Sequence, residues 1–369
     1  MESKATRAED RIRELAARQF DLATFWQESS SVISEVVPHY WVPCWYTLDP
    51  ASHLITSHFH EGLTEYPDAW LEAEYLDDDV NQILDVVRSD SGISTLHELT
   101  GGDPSGTARW QANIELGGDQ ELLLRLRTRS GEVWGALGLY RELDRPMFSA
   151  AEKQFLSAVS TPLAEGARRA LVFGEASDPD WPDGPGLVLV GIDGHVESMT
   201  AAGAAWLTAL GDVDVERATP VSVLAVARAA ASGRPAEARV RVPEGPWLAL
   251  SAALLAGEHR VAVLVEPARP PRIFDLVMSA HGLTRREREV VQLVLEGHPT
   301  AGISSTLSVS GYTVQEHLKS VFEKMGVRSR RELVAQAFFA HYSPRFRDNE
   351  RRSEASQPMR GNPAPPAAG

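Results

Sequence analysis

Cysteine is almost missing from this 369-residue chain: Cys44 stands alone, which excludes an intramolecular disulfide and any Cys-rich zinc site. Between Pro43 and Trp45 its thiol reads as a small buried apolar side chain rather than a reactive nucleophile. No run approaches the length of a membrane-spanning helix. The opening MESKATRAEDRIRELAARQF is charged throughout, unlike a secretory leader, so the expected location is the cytoplasm. Catalytic motifs are missing too. TGGDPSG (Thr100 to Gly106) is glycine-rich but lacks the Lys-Ser/Thr of a phosphate loop, and neither a Gly-x-Ser-x-Gly elbow nor a His-Glu-x-x-His helix occurs. No catalytic residue and no metal is assigned, an enzyme is not expected, and nothing in the sequence identifies a cofactor.

Positive charge is scarce: 36 Lys+Arg stand against 51 Asp+Glu, a formal net charge of -15. The deficit is uneven. Residues 1–271 hold 22 bases and 41 acids (-19), residues 272–340 hold 9 and 7 (+2), and residues 341–369 hold 5 and 3 (+2). An acidic body repels nucleic acid, so any polyanion is expected to meet the C-terminal end.

Two Pro/Gly/Asp-rich stretches, GEASDPDWPDGPG (Gly174 to Gly186) and EPARPPR (Glu266 to Arg272), read as linkers. The expected division is 1–174, a linker at 175–185, a middle domain at 186–268, a linker at 269–279, a C-terminal domain at 280–341, and a polar, proline-rich disordered tail at 342–369. In the first segment Leu22, Phe25, Trp26, Val32, Ile33 and Val36 recur at helical spacing. CWYTLDPASHLITSHF then reads as strand, turn, strand. A hairpin is predicted around Ser130-Gly131, followed by a helix opened by the capping box Ser149-x-x-Glu152. This order of elements, an α+β domain, resembles a GAF domain. The middle segment, with a hairpin at Asp193-Gly194, two helices and three strands, resembles a PAS-type α+β domain.

The sharpest pattern starts at Leu283. Thr284-x-x-Glu287 is a capping box, Val290, Val291, Val294 and Leu295 form one stripe, and Gly297 with Pro299 closes the helix. A short helix from Thr300 buries Ile303 and Leu307. Ser310 then caps a third helix whose inner stripe is Val314, Leu318, Val321, Phe322 and Met325. That stripe turns Gln315, Glu316, Lys319 and Glu323 outward. A fourth helix is predicted from Arg330 to about His341, offering Leu333, Val334, Ala337 and Phe338.

LTRREREVVQLVLEG, ISSTLSVSGYTVQEHLKSVFEKMGV and RSRREL together resemble the LuxR-type helix-turn-helix, an all-α four-helix domain, with a reading unit at 300–319. The resemblance implies a DNA-binding transcriptional regulator, a double-stranded DNA partner and a homodimer on paired half-sites. It places Gln315, Glu316 and Lys319 at base edges, Ser310, Tyr312, Thr313, Lys324 and Arg328 near phosphates, and Val334, Ala337, Phe338 and His341 at a dimer contact. The chain departs from the family at Ala301-Gly302, where Lys-Glu is usual, at Ser304, where Ala is usual, and at Gln315, where a base is frequent. Gly302 and Glu316 keep open an alternative, a helix-turn-helix that binds another protein instead of DNA.

The N-terminal half is expected to sense a small molecule or to mediate dimerisation. Within it, Trp41, Trp45 and Tyr46 of YWVPCWY, with His58, are candidate pocket residues, although core packing is the commoner use of such rings. His53, His58 and His60 lack metal-ligand spacing, and the acidic run Asp77 to Asp79 reads as a solvated charge cluster.

Overall fold

The computed structural model describes residues 2–18, 20–60, 68–76, 79–172, 182, 184–211, 219–242, 245–256, 259–268, 278 and 281–334. The chain forms two compact units, Met1–Gly174 with Pro185–Pro267, and Glu175–Gly184 with Ala268–Gly369.

The first unit opens with α1 (Glu2–Ala17) and α2 (Leu22–Val36), the latter capped by Asp21, whose carboxylate accepts from the Thr24 N–H. Strands β1 (Tyr40–Leu48) and β2 (Ile55–Phe59) follow. Next come α3 (Asp68–Tyr75), α4 (Ile83–Arg88), β3 (Ile93–Thr95), α5 (Leu96–Leu99) and α6 (Ala108–Glu115), then β4 (Gln120–Arg127), β5 (Val133–Arg141) and the long α7 (Ala150–Val172). The predicted hairpin turns at Gly131, whose φ of 95° suits glycine. The Ser149/Glu152 capping box is present in both directions. The strands pair antiparallel in the order β2-β1-β5-β4-β3.

One face of this sheet is covered by α1, α2 and α7. Ile12, Phe25, Trp26, Ile33, Phe155 and Val159 bury there against Trp45, Leu137 and Leu139. Trp26 stacks on Trp45 with ring centres 4.2 Å apart. Helix α7 approaches α2 closely at Gly166, where a Cβ would stand 2.1 Å from the Phe25 ring.

A second antiparallel sheet, order β7-β6-β10-β9-β8, is built from β6 (Gly186–Gly191), β7 (Val196–Met199), β8 (Glu237–Arg241), β9 (Trp247–Leu254) and β10 (Arg260–Pro267), with α8 (Ala201–Leu210) and α9 (Val221–Ala231) between β7 and β8. Every residue from Val221 to Ala229 is buried. A helix apolar on all sides needs cover on more than one, and α9 packs against β9 and β10 as well as against β2 and α3. Asp49, at the end of β1, accepts the Arg239 backbone N–H, Nε and Nη2 at 2.7, 2.8 and 2.7 Å. The two sheets thus lie in a single compact unit, although their sequences read as successive segments.

The second unit is helical: α10 (Arg285–Leu295), α11 (Thr300–Leu307) and α12 (Gly311–Met325), with residues 330–334 starting a further helical turn. The rest of the predicted fourth helix and the predicted tail lie outside the described residues. No helix among the described residues is long and apolar enough to cross a membrane.

Candidate nucleic-acid interface

Three local signals set the frame of the second unit. The Thr284/Glu287 capping box forms as predicted and starts α10. Between α11 and α12 the chain turns at Ser308, a non-glycine residue with φ 54° in the left-handed region. Ser310 then caps α12, its Oγ accepting the Thr313 N–H at 3.0 Å, and Gly326 ends that helix with φ 67°. Ser304, which stands where the resemblance leads one to expect alanine, is not left unsatisfied. Its hydroxyl donates to the Val309 carbonyl and ties the turn to α11.

The inner row of α12 is buried: Val314, Leu318, Val321 and Met325, against Val290, Val291, Val294 and Ile303. Phe322, expected in the same row, is only half-buried, because it sits at the edge of the stripe. Gln315, Glu316 and Lys319 are exposed on the opposite side, with Tyr312 at the first turn 76% exposed. The Gln315 amide reaches Thr300 Oγ1 at 3.4 Å, so the row lies beside the start of α11. Neither Glu316 nor Lys319 forms an ion pair among the described residues.

Lys324 has a different environment from Lys319. Its ammonium donates to both oxygens of Glu287, at 2.8 and 2.6 Å, and Ser320 Oγ donates to the same carboxylate at 2.6 Å. Glu287 is buried, and burial by itself would raise its pKa. The hydrogen bonds from Lys324, Ser320 and the Thr284 N–H outweigh that and hold it below the ordinary glutamate value. Glu287 therefore completes the capping box of α10 and also clamps α12 to it, a double use that spacing alone did not reveal. Arg330 donates to the His298 carbonyl, while the Arg328 side chain is exposed and its backbone N–H donates to Glu332 at 2.7 Å. Of the predicted dimer residues, Val334 is half-buried; Ala337, Phe338 and His341 lie outside the described residues.

In the first unit the four candidate pocket residues divide. Trp45 belongs to the helix-covered core and donates from Nε1 to Ser30 Oγ at 2.9 Å. Tyr46 stands next to His58, ring centres 5.0 Å apart, and Trp41 lies 6.2 Å from His60 and 5.6 Å from Tyr140. Adjacent strand residues point to opposite faces, so Trp45 and Tyr46 were never placed to line one pocket. Burial, with the nearby His60, pushes the His58 pKa down to about 3, so its imidazole is neutral. Burial likewise pushes the Cys44 thiol far above its ordinary range, in keeping with an unreactive core residue. The same side of the sheet holds a buried polar group that no motif in the sequence marks. Arg109 donates to Glu74 at 2.9 Å and to Glu121 at 3.3 Å, and the Tyr140 hydroxyl donates to Glu121 at 3.3 Å. Asp79 accepts the Arg109 N–H at 2.7 Å, a structural use of one member of the acidic run; Asp77 and Asp78 lie outside the described residues.

The family model for bacterial regulatory proteins, luxR family, matches residues 281–337. The transcriptional regulatory protein DesR of Bacillus subtilis is 35% identical over 68 residues, 18% of this chain and 34% of DesR. The HTH-type transcriptional regulator MalT of Yersinia pestis is 33% identical over 67 residues, 18% of this chain and 7% of MalT. The chain thus spans about a third of the length of one relative and a small fraction of the other. A crystal structure of Escherichia coli SdiA overlaps 90% of this chain and 96% of its own at 12% identity, with a TM-score of 0.32. The sequence pattern and the helical geometry of residues 281–334 agree with the family match: residues 281–337 are a luxR-family helix-turn-helix domain.

Proposed function

We propose that the chain is a transcriptional regulator that binds double-stranded DNA through α12. The observation that carries this reading is the division of that helix. Its inner row is locked into a small aliphatic core, while Gln315, Glu316 and Lys319 form an exposed row of long polar side chains on a firmly held rod. A helix so presented fits the major groove, where Lys319 suits guanine O6 or N7 and Glu316 suits a cytosine amino group. The first turn, with Ser310, Tyr312 and Thr313, supplies amide and hydroxyl donors to a phosphate, and Arg328 supplies a cation at the far end. Lys324 was expected to do the same, but it is held by Glu287, and we assign it to fixing α12 in place.

In this reading the first unit, GAF-like over about 20–174 and PAS-like over 186–268, senses a small molecule or brings two copies together. Trp41, Tyr46 and His58 are the pocket candidates that share a face. The regulator acts in the cytoplasm as a homodimer, with Val334 and the residues after it at the contact. The acidic body keeps the first unit off the duplex, and the less acidic C-terminal end docks.

The test is fluorescence anisotropy on duplexes recovered by genomic selection with the full chain. Lys319→Ala is expected to weaken the selected site about tenfold or more, and scrambled duplexes far less. Equal weakening on all sequences, with a salt slope lower by about 1, would make Lys319 a phosphate contact instead. Folded protein with no duplex binding at low salt would turn the reading toward a protein partner, which the exposed acid Glu316 favours.

A further inference from the structure

Strand β3 stops pairing with β4 at Leu124, and past that point the edge of β4 opens into a cleft of about 300 Å³. Three arginines line it, Arg125, Arg127 and Arg129, together with the hydroxyls of Ser157, Ser160 and Thr161 from α7. In a chain with 51 acids and 36 Lys+Arg, several other arginines of this unit are paired with carboxylates: Arg11 with Glu35, Arg141 with Glu152, Arg168 with Glu165. Among the described residues no carboxylate forms an ion pair with Arg125, Arg127 or Arg129.

The site is built rather than incidental. Nη1 of Arg125 donates to the Val87 and Ser89 carbonyls at 2.8 Å each. Its guanidinium lies over Gly92, where a Cβ would come within 2.6 Å, so glycine is required for the arginine to rest there. Arg127 Nε donates to the Gly131 carbonyl at 3.1 Å, which fixes part of that fork beside the cleft. The Arg129 guanidinium makes no bond among the described residues. Ser160 is committed, donating to the Arg125 carbonyl at 2.6 Å and accepting the Arg127 N–H at 3.4 Å, and so pins α7 to β4. Ser157 and Thr161 make no side-chain hydrogen bond among the described residues. Burial, and next to it the like charge of Arg127, lowers the Arg125 pKa against the pull of Asp90, so these cations feel one another and an anion between them relieves the repulsion.

We propose that this cleft binds a small phosphorylated ligand. Arg127 and Arg129 take the phosphoryl group by their planar forks, Arg125 stands behind as a fixed cation, and Ser157 and Thr161 supply hydroxyl donors. The volume equals about ten water molecules, at the small end of ligand pockets, which leaves room for a modest organic group beside the phosphoryl. The cleft lies in the first unit and uses no residue of α12, so this proposal stands or falls apart from the DNA-binding reading.

The experiment is calorimetric titration of the full chain with inorganic pyrophosphate at constant ionic strength in chloride. Wild type is expected to show saturable one-to-one binding. The double variant Arg127→Gln/Arg129→Gln should bind about 10- to 100-fold more weakly, the size of a lost charged hydrogen bond or two. Arg145→Gln, an exposed arginine of the same unit, should bind as wild type does. Arg129→Gln alone removes a side chain with no structural bond, so its weaker binding is free of any folding effect. Absence of saturation up to about 10 mM would overturn the proposal, because affinity that low is below a useful site. Equal weakening in Arg145→Gln would overturn it too, by showing only diffuse charge. If the double variant instead lost duplex affinity while pyrophosphate never bound, the cleft would be a nucleic-acid contact and the proposal would fail.

Discussion

In the first unit Asp49 reaches 190 residues along the chain to Arg239, whereas in the second Glu287 reaches 37 residues to Lys324. Both are buried carboxylates held by a cation, and for both burial raises the pKa while hydrogen bonds from the partner pull it lower than an ordinary carboxylate. They differ in what they join. Asp49 ties two sheets that fold from distant parts of the sequence. Glu287 ties neighbouring helices and serves as a cap as well. The first unit therefore depends on non-local closure, and the second on local helix signals that closure then reinforces.

The comparison is easiest to break at Asp49. Asp49→Ala leaves Arg239 partly buried without its carboxylate and should cost about 3 to 5 kcal/mol, the usual penalty of splitting a buried pair. Eight of the nine tryptophans, all but Trp181, fall in the first unit, so urea unfolding followed by tryptophan fluorescence reads mainly that unit. The expected outcome is an early fluorescence transition with duplex binding kept. A loss of both together would show that the two units do not unfold separately.

A smaller effect is expected at Lys324. Lys324→Ala should destabilise the second unit by about 1 to 2 kcal/mol, less than a fully buried pair because the lysine is partly exposed. The pH dependence sharpens this. Since Glu287 is depressed in the folded state, its contribution is present above the ordinary glutamate pKa and is lost as pH falls through the folded value. Thermal unfolding followed by helical circular dichroism should therefore show wild type losing its advantage over Lys324→Ala on acidification below about pH 4. A constant gap between the two proteins across that range would mean that the lysine acts by packing alone.

The smallest change is a gain. Gly302 sits inside α11, and a Cβ there would make ordinary contacts, 3.4 Å from Pro299 Cδ and 3.5 Å from His298 Nδ1. Gly302→Ala is expected to stabilise the second unit by about 0.5 to 1 kcal/mol through reduced unfolded-state freedom. If the alanine protein keeps its stability gain but loses duplex affinity, α11 needs glycine for close approach of a partner rather than for its own fold.

Local chemistry was legible wherever one side chain answers to its near neighbours. The capping boxes at Thr284 and Ser149, the cap at Ser310, the stripe Val314, Leu318, Val321 and Met325, and the hairpin at Gly131 are all present at the predicted places. Two signals were present and carried further than they were read. The period of two along β1 already separates Trp45 from Tyr46. The all-round apolar VSVLAVARAAA already asks for cover on several sides of α9, which the structure supplies from both sheets.

Sequence alone determined the elements, their caps and the inner and outer rows of the helix-turn-helix, because each depends on contacts within a turn or two of helix or across one hairpin. Tertiary structure decided the partners: that Lys324 serves Glu287, that Arg239 serves Asp49, and that Arg125, Arg127 and Arg129 meet hydroxyls of α7 around one cleft. Charges reveal nothing in a sequence about which of many opposite charges they will meet. That choice is made only when burial brings two surfaces together and removes the water that would otherwise satisfy them.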